Sequence, residues 1–107
     1  MDLTHYRDLV LQVAAQAHMD PPIEKTPTLD WFRPILERIR QDGAVVILKW
    51  DGERGPSDDG PYTALISGKA LPDEFIRTDA FSLEEALSYV IVEYAKRCWG
   101  FSNFCLA

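Results

Sequence analysis

Cysteine is nearly absent from this chain: Cys98 and Cys105 are the only two. They form no C-x-x-C pair, which removes the usual zinc-site and dithiol redox readings. Without an export signal the two thiols are expected to stay reduced. Histidine is equally scarce. His5 and His18 lie thirteen residues apart in one helical segment, and at about 100° per residue they point to nearly opposite sides, so they share neither a metal nor a proton relay. No apolar run approaches the ~20 residues of a membrane span. The opening MDLTHYRDLVLQVAAQ places Asp2 where a secretory signal carries positive charge, so a cytoplasmic protein is expected. Basic residues are also in deficit, 11 against 17 acidic, for a net charge of -6. Every third of the chain is net negative. A phosphate-backbone partner needs clustered lysine and arginine to displace counterions, so no nucleic-acid binding is expected.

What is present suits one packed domain over residues 1–107. Apolar content is 47% and aromatic content 11%, enough for a core without staples but not for a second domain. The clearest element is Ser82 to Gly100. Ser82 and Glu85 have capping-box spacing. Leu83, Ala86, Leu87, Val90, Ile91, Tyr94 and Cys98 then recur at helical steps, and Gly100 is the stop. A first helix is expected from Thr4 to about Met19, ended by Asp20-Pro21-Pro22. A second runs from about Leu29 to Asp42, with Trp31, Phe32, Ile35, Leu36 and Ile39 inward and Gly43 after it. Pro34 is tolerated in a first turn, which places the regular part of that helix at Asp30 or later.

The periodicity then changes. Ala44 to Trp50 is short, β-branched and apolar, and reads as a buried strand with Val46, Leu48 and Trp50 on one side and Val45 and Ile47 on the other. Apolar residues on both sides imply that helices or a second subunit cover both faces. Tyr62 to Ser67 reads as the returning strand, and Glu74 to Thr78 as a weaker third. The fold class is therefore α+β: a small antiparallel sheet packed by helices, in the order α-α-β-β-β-α. From the second helix onward this order resembles that of double-stranded-RNA-binding domains. Those domains open their last helix with basic residues, whereas this one opens Ser82-Leu83-Glu84-Glu85, so the resemblance does not extend to RNA binding.

Residues 51–61 connect the first two strands, longer than an ordinary hairpin loop. Asp51, Glu53, Asp58 and Asp59 face one Arg54, so half of the net charge sits in ten residues. The spacing does not suit calcium, because Gly55 and Pro56 occupy ligand positions. A solvated turn or a docking surface for a basic protein remains. Ser67-Gly68-Lys69 fails as a phosphate loop, since Thr63 and Ala70 stand where glycine and a hydroxyl are required. No serine sits in a G-x-S-x-G elbow. Glu84 and Glu85 suit the positive end of a helix, and Cys98 is expected as a small core residue. The last helix carries more apolar surface than one buried side needs. Either the sheet covers one flank and the first helix or tail another, or Trp99 and Phe101 form an exposed aromatic contact, with Phe104, Cys105 and Leu106 following.

In size and charge the chain resembles bacterial immunity and inhibitor proteins, which are acidic when their targets are basic. The reading is a non-enzymatic, cofactor-free interaction domain for a protein partner, with Asp51, Glu53, Asp58, Asp59, Trp99 and Phe101 as candidate contacts. A homodimer is retained as an option. The rival reading is a small enzyme or ligand-binding domain with its site between helix and sheet, or across a dimer.

Overall fold

A computed structural model describes residues 4–22, 27–55 and 58–102. Along the chain lie α1 (Thr4–Gln16), α2 (Leu29–Gln41), β1 (Ala44–Trp50), β2 (Tyr62–Gly68), β3 (Ile76–Ala80) and α3 (Leu83–Cys98). The order is the expected α-α-β-β-β-α, and the strands form one antiparallel sheet in the order β1-β2-β3. No helix among the described residues is long and apolar enough to cross a membrane.

The ends of α3 follow from local chemistry. Ser82 is extended and its hydroxyl accepts the Glu85 N–H at 3.1 Å. Gly100 adopts φ 68°, which lets the Phe101 N–H reach back to the Ala95 carbonyl at 3.0 Å and close the helix. The reciprocal half of the capping box does not form: the Glu85 carboxylate turns instead toward Arg7 of α1, 4.0 Å away. Ser82→Ala is accordingly expected to destabilise the protein by about 1 kcal/mol, the loss of one cap, measured as a lower urea midpoint at unchanged slope.

α3 is the central element. It packs on β2 and β3, on α1, and more lightly on α2. Leu87, Val90, Ile91, Val92 and Tyr94 are all fully buried, so the surplus apolar surface of this helix is taken up by the sheet on one flank and α1 on another. Tyr6 of α1 packs its ring at a tilt against Tyr89, centroids 4.8 Å apart, and donates its hydroxyl to Glu93 at 3.0 Å. Burial, reinforced by the Glu93 carboxylate, pushes the Tyr6 phenol up to about 12.

Three boundaries differ from expectation for identifiable reasons. α1 stops before the prolines because His18 takes a left-handed conformation (φ 62°), and the Met19 N–H bonds the Ala14 carbonyl at 2.9 Å. That closure ends a helix without help from the following Pro21. α2 starts at Leu29, capped by the Thr28 hydroxyl accepting the Trp31 N–H at 3.3 Å, so Pro34 lies inside the helix rather than in its first turn. The donor that Pro34 cannot supply is missed by the carbonyl of Asp30, a residue at the exposed start of the helix. β3 is shifted to Ile76–Ala80 because residues 68–74 are consumed by turns, with Asp73 at φ 63° and the Glu74 N–H on the Leu71 carbonyl at 3.2 Å.

The sheet is covered on one face only. Ala44, Ala64, Ile66, Ile76 and Ala80 lie in the core, with Val46 and Leu48 packed against it. Val45 and Ile47, on the other side of β1, are 49% and 52% exposed. Helices therefore cover one face and not both, which corrects the first of the two expected coverings. α2 enters β1 through Gly43 and α3 leaves β3 through Phe81-Ser82, and both fold back onto the same side, while α1 packs on α3 instead of on the opposite face.

Candidate protein-interaction surface

The acidic connector between β1 and β2 is organised by an ion-pair network rather than simply solvated. Asp51, immediately after β1, accepts the Glu53 N–H at 3.0 Å and faces Lys49 at 3.2 Å and Arg54 at 3.4 Å. Arg54 reaches across to Asp79 of β3 at 3.1 Å and donates to the Gly60 carbonyl, also at 3.1 Å. Asp79 further accepts from the Thr63 hydroxyl at 2.5 Å and faces Arg77 at 3.4 Å. Burial opposes ionisation of Asp79, but the Thr63 hydroxyl and the Arg54 and Arg77 guanidiniums outweigh it and hold the carboxyl below its ordinary range. The Glu53 N–H and then Lys49 do the same for Asp51.

These contacts divide the loop's charges into two sets. Asp51 and Asp79 pair with Lys49, Arg54 and Arg77, two carboxylates against three cations. Glu53, Asp58 and Asp59 stay on the outside, exposed and, among the described residues, without an ion pair. Asp58 accepts the Gly55 N–H at 2.8 Å through one carboxylate oxygen. Arg54, Asp58, Asp59 and Asp79 line an open depression of about 280 Å³. Among the described residues no group of three or more His, Cys, Asp and Glu side chains is placed to hold a metal ion.

The network predicts an acid-sensitive fold. A carboxyl whose folded pKa is depressed contributes stability above the ordinary carboxylate value near 4 and loses it as the pH falls through the lowered folded value. Asp79→Asn is expected to destabilise the protein at pH 7 by about 1 kcal/mol, the scale of one impaired polar contact. The gap to the natural protein should narrow below about pH 4. Urea midpoints of both proteins across that range check it, and parallel profiles would mean that another carboxyl carries the acid response.

The aromatic candidates are not brought to the surface together. Phe101 is 5% exposed and belongs to the core. Trp99 is half-buried, edge-on to Tyr94 and under the Arg38 guanidinium, 4.9 Å from the ring centre. Its indole N–H bonds the Asp42 carboxylate at 2.7 Å, and the buried Tyr94 hydroxyl donates to the same carboxylate at 2.8 Å. Burial followed by the Asp42 hydrogen bond pushes the Tyr94 phenol above its ordinary range. Asp42 therefore staples the C-terminal end of α3 to that of α2, and Trp99 works as a structural side chain. Phe104, Cys105 and Leu106 lie outside the described residues.

Cys98 is exposed rather than part of the core, its thiol 3.5 Å from the Ala70 carbonyl. Partial burial pushes the thiol up, away from a reactive thiolate. Ser88, fully buried on α3, has no hydrogen-bond partner among the described groups, so no base stands ready to activate it. Val13, Gln16, Ala17, Arg38, Trp99 and Phe101 line a cavity of about 90 Å³, well below the ~300 Å³ of a small-molecule site.

A feature not foreseen is the uncovered sheet face. Leu65 pairs with Ile47 and with Arg77 across three strands, and Ser67 pairs with Val45. Phe75, directly before β3, is 62% exposed. The continuous apolar run Val45-Val46-Ile47-Leu48 was legible, but not which half would stay bare. No known protein family, curated protein or solved structure matches this chain.

Proposed function

We propose that this is a non-enzymatic protein-interaction domain whose acidic loop steers a basic protein partner, in the manner of a cytoplasmic bacterial immunity or inhibitor protein. The observation that carries the reading is the division of charge in residues 51–60. The Asp51–Arg54–Asp79 network holds the loop against β3 and engages Lys49, Arg54 and Arg77 with two carboxylates, so that Glu53, Asp58 and Asp59 more than offset the one cation in excess and leave a net negative surface on a fixed scaffold. Charges set in this way raise the rate of encounter with an oppositely charged surface and need no cofactor. The exposed apolar residues Val45 and Ile47 on the adjoining sheet face supply surface of the kind that partners bury.

The test begins with affinity capture from the source organism and mass spectrometry, followed by association kinetics with the captured partner. Replacing Glu53 by Gln and both Asp58 and Asp59 by Asn is expected to slow association about tenfold at low salt and to flatten its salt dependence, because rim charges act mainly on the on-rate. The melting temperature should barely move, since these side chains are exposed. Asp51 is left intact in this variant because it belongs to the network. Unchanged association would remove the loop from the interface and return weight to the enzyme or ligand-binding alternative.

A further inference from the structure

The two edges of the sheet are unlike. β3 is five residues long and carries Arg77 and Asp79 at its middle, the short charged edge by which proteins discourage strand pairing. β1 is seven residues long, with no proline and a single charge, Lys49. Its direction of hydrogen bonding follows from the ladder. The Asp51 N–H bonds the Pro61 carbonyl at 2.8 Å, so Val45, Ile47 and Lys49 turn their backbone groups inward to β2, while Ala44, Val46, Leu48 and Trp50 turn theirs outward. Outside the sheet, no backbone partner is found for these outward groups among the described residues.

Both sides of this strand are also incompletely buried. Val45 and Ile47 are about half exposed on the open face, Trp50 is 59% exposed on the helical side, and Val46 and Leu48 are only partly buried beneath α2. A molecule lying on the open face would cover Val45 and Ile47 and leave Trp50 bare. A strand added alongside β1 reaches both sides at once.

We infer that β1 pairs antiparallel with β1 of a second copy, about a two-fold axis through Ile47, to give a six-stranded sheet. In this register Ala44 faces Trp50 of the other copy and Val46 faces Leu48, so every outward N–H and carbonyl from 44 to 50 acquires a partner. Lys49 falls opposite Val45 rather than opposite its own counterpart, so no like charges meet. Ile47 meets its counterpart on the axis, and Trp50 comes over the start of the other β1, beneath the end of the other α2. The apolar surface still exposed on β1 is on the order of 400 Å² per copy, about half that of a standard interface, which suits a weak dimer that forms with concentration. The acidic loops lie at opposite ends of the paired strands, where they do not oppose each other.

The test is sedimentation equilibrium from roughly micromolar to millimolar protein, joined to amide hydrogen exchange at both ends of that range. The expected result is a rise from 12.2 kDa toward twice that mass, with the Val46, Leu48 and Trp50 amides gaining protection as the dimer forms. Added salt should strengthen the association, because it screens two copies of net charge -6. This is opposite to a charge-steered basic partner, so the dimer and the functional reading fail separately. Ile47→Lys, at an exposed position that leaves the core intact, should weaken dimerisation at least tenfold by placing two ammonium groups on the axis. A mass of 12.2 kDa at every concentration overturns the inference. So does a dimer that Ile47→Lys leaves unchanged, and so does one in which those three amides exchange as fast as in the monomer.

Discussion

Leu87→Ala is expected to remove about 2 to 5 kcal/mol of stability, the range for large-to-small changes at sites that cannot collapse. Leu87 is fully buried on α3, the helix that packs on β2, β3, α1 and α2. A void there is walled by elements that are each held elsewhere. The sheet is fixed by its ladder, and α1 by the Tyr6–Glu93 hydrogen bond and the Tyr6–Tyr89 contact. Little relaxation is available, so the loss should lie in the upper half of that range. Ile91, equally buried one turn further on, should behave alike. Urea denaturation decides the matter: a smaller loss at Leu87 than at Ser82 would place the core elsewhere.

Gly60→Ala is the second large effect, and it links the fold to the candidate surface. Gly60 adopts φ 118°, a conformation that side chains with a Cβ rarely take, and a Cβ there would lie 2.1 Å from the Ala80 carbonyl oxygen. The opposing atoms are backbone at the end of β3 and cannot swing aside. Either the loop lifts from the sheet or the Tyr62–Ala80 pairing gives way. The expected loss is about 2 to 4 kcal/mol, conformational strain plus the displaced contact. Lifting the loop also withdraws the Gly60 carbonyl from Arg54, so the variant should lose much of the acid-sensitive stability assigned to Asp79. Thermal unfolding at pH 7 and pH 3.5, about the carboxylate range, measures both effects. A variant as stable as the natural protein would mean that the loop does not press on β3.

Local signals were legible where cause and effect lie within a few residues. Ser82 and Gly100 bound α3, Phe32, Ile35 and Ile39 mark the buried side of α2, and the β-branched run from Ala44 marks β1. What neighbouring residues did not reveal has a different origin. Cys98 fits the apolar spacing of α3, yet the helix outruns its cover at that turn and the thiol emerges. Trp99 and Phe101 were open to packing or to an exposed contact, and the choice is made by Asp42, more than fifty residues earlier, which captures the indole, while Phe101 enters the core. Asp51 resembles its acidic neighbours in composition, and only the approach of β3 through Asp79 turns it into part of a scaffold.

The sequence by itself determined the elements, their order and the acidity of the loop, because helix caps, side-chain periodicity and net charge are properties of neighbouring residues. Tertiary structure decided which sheet face stays bare and which carboxylates face internal cations. Those outcomes depend on where α1 and α2 settle and on contacts such as Arg54–Asp79 and Trp99–Asp42. Such contacts join residues far apart in the chain, and a pattern confined to near neighbours carries no record of them.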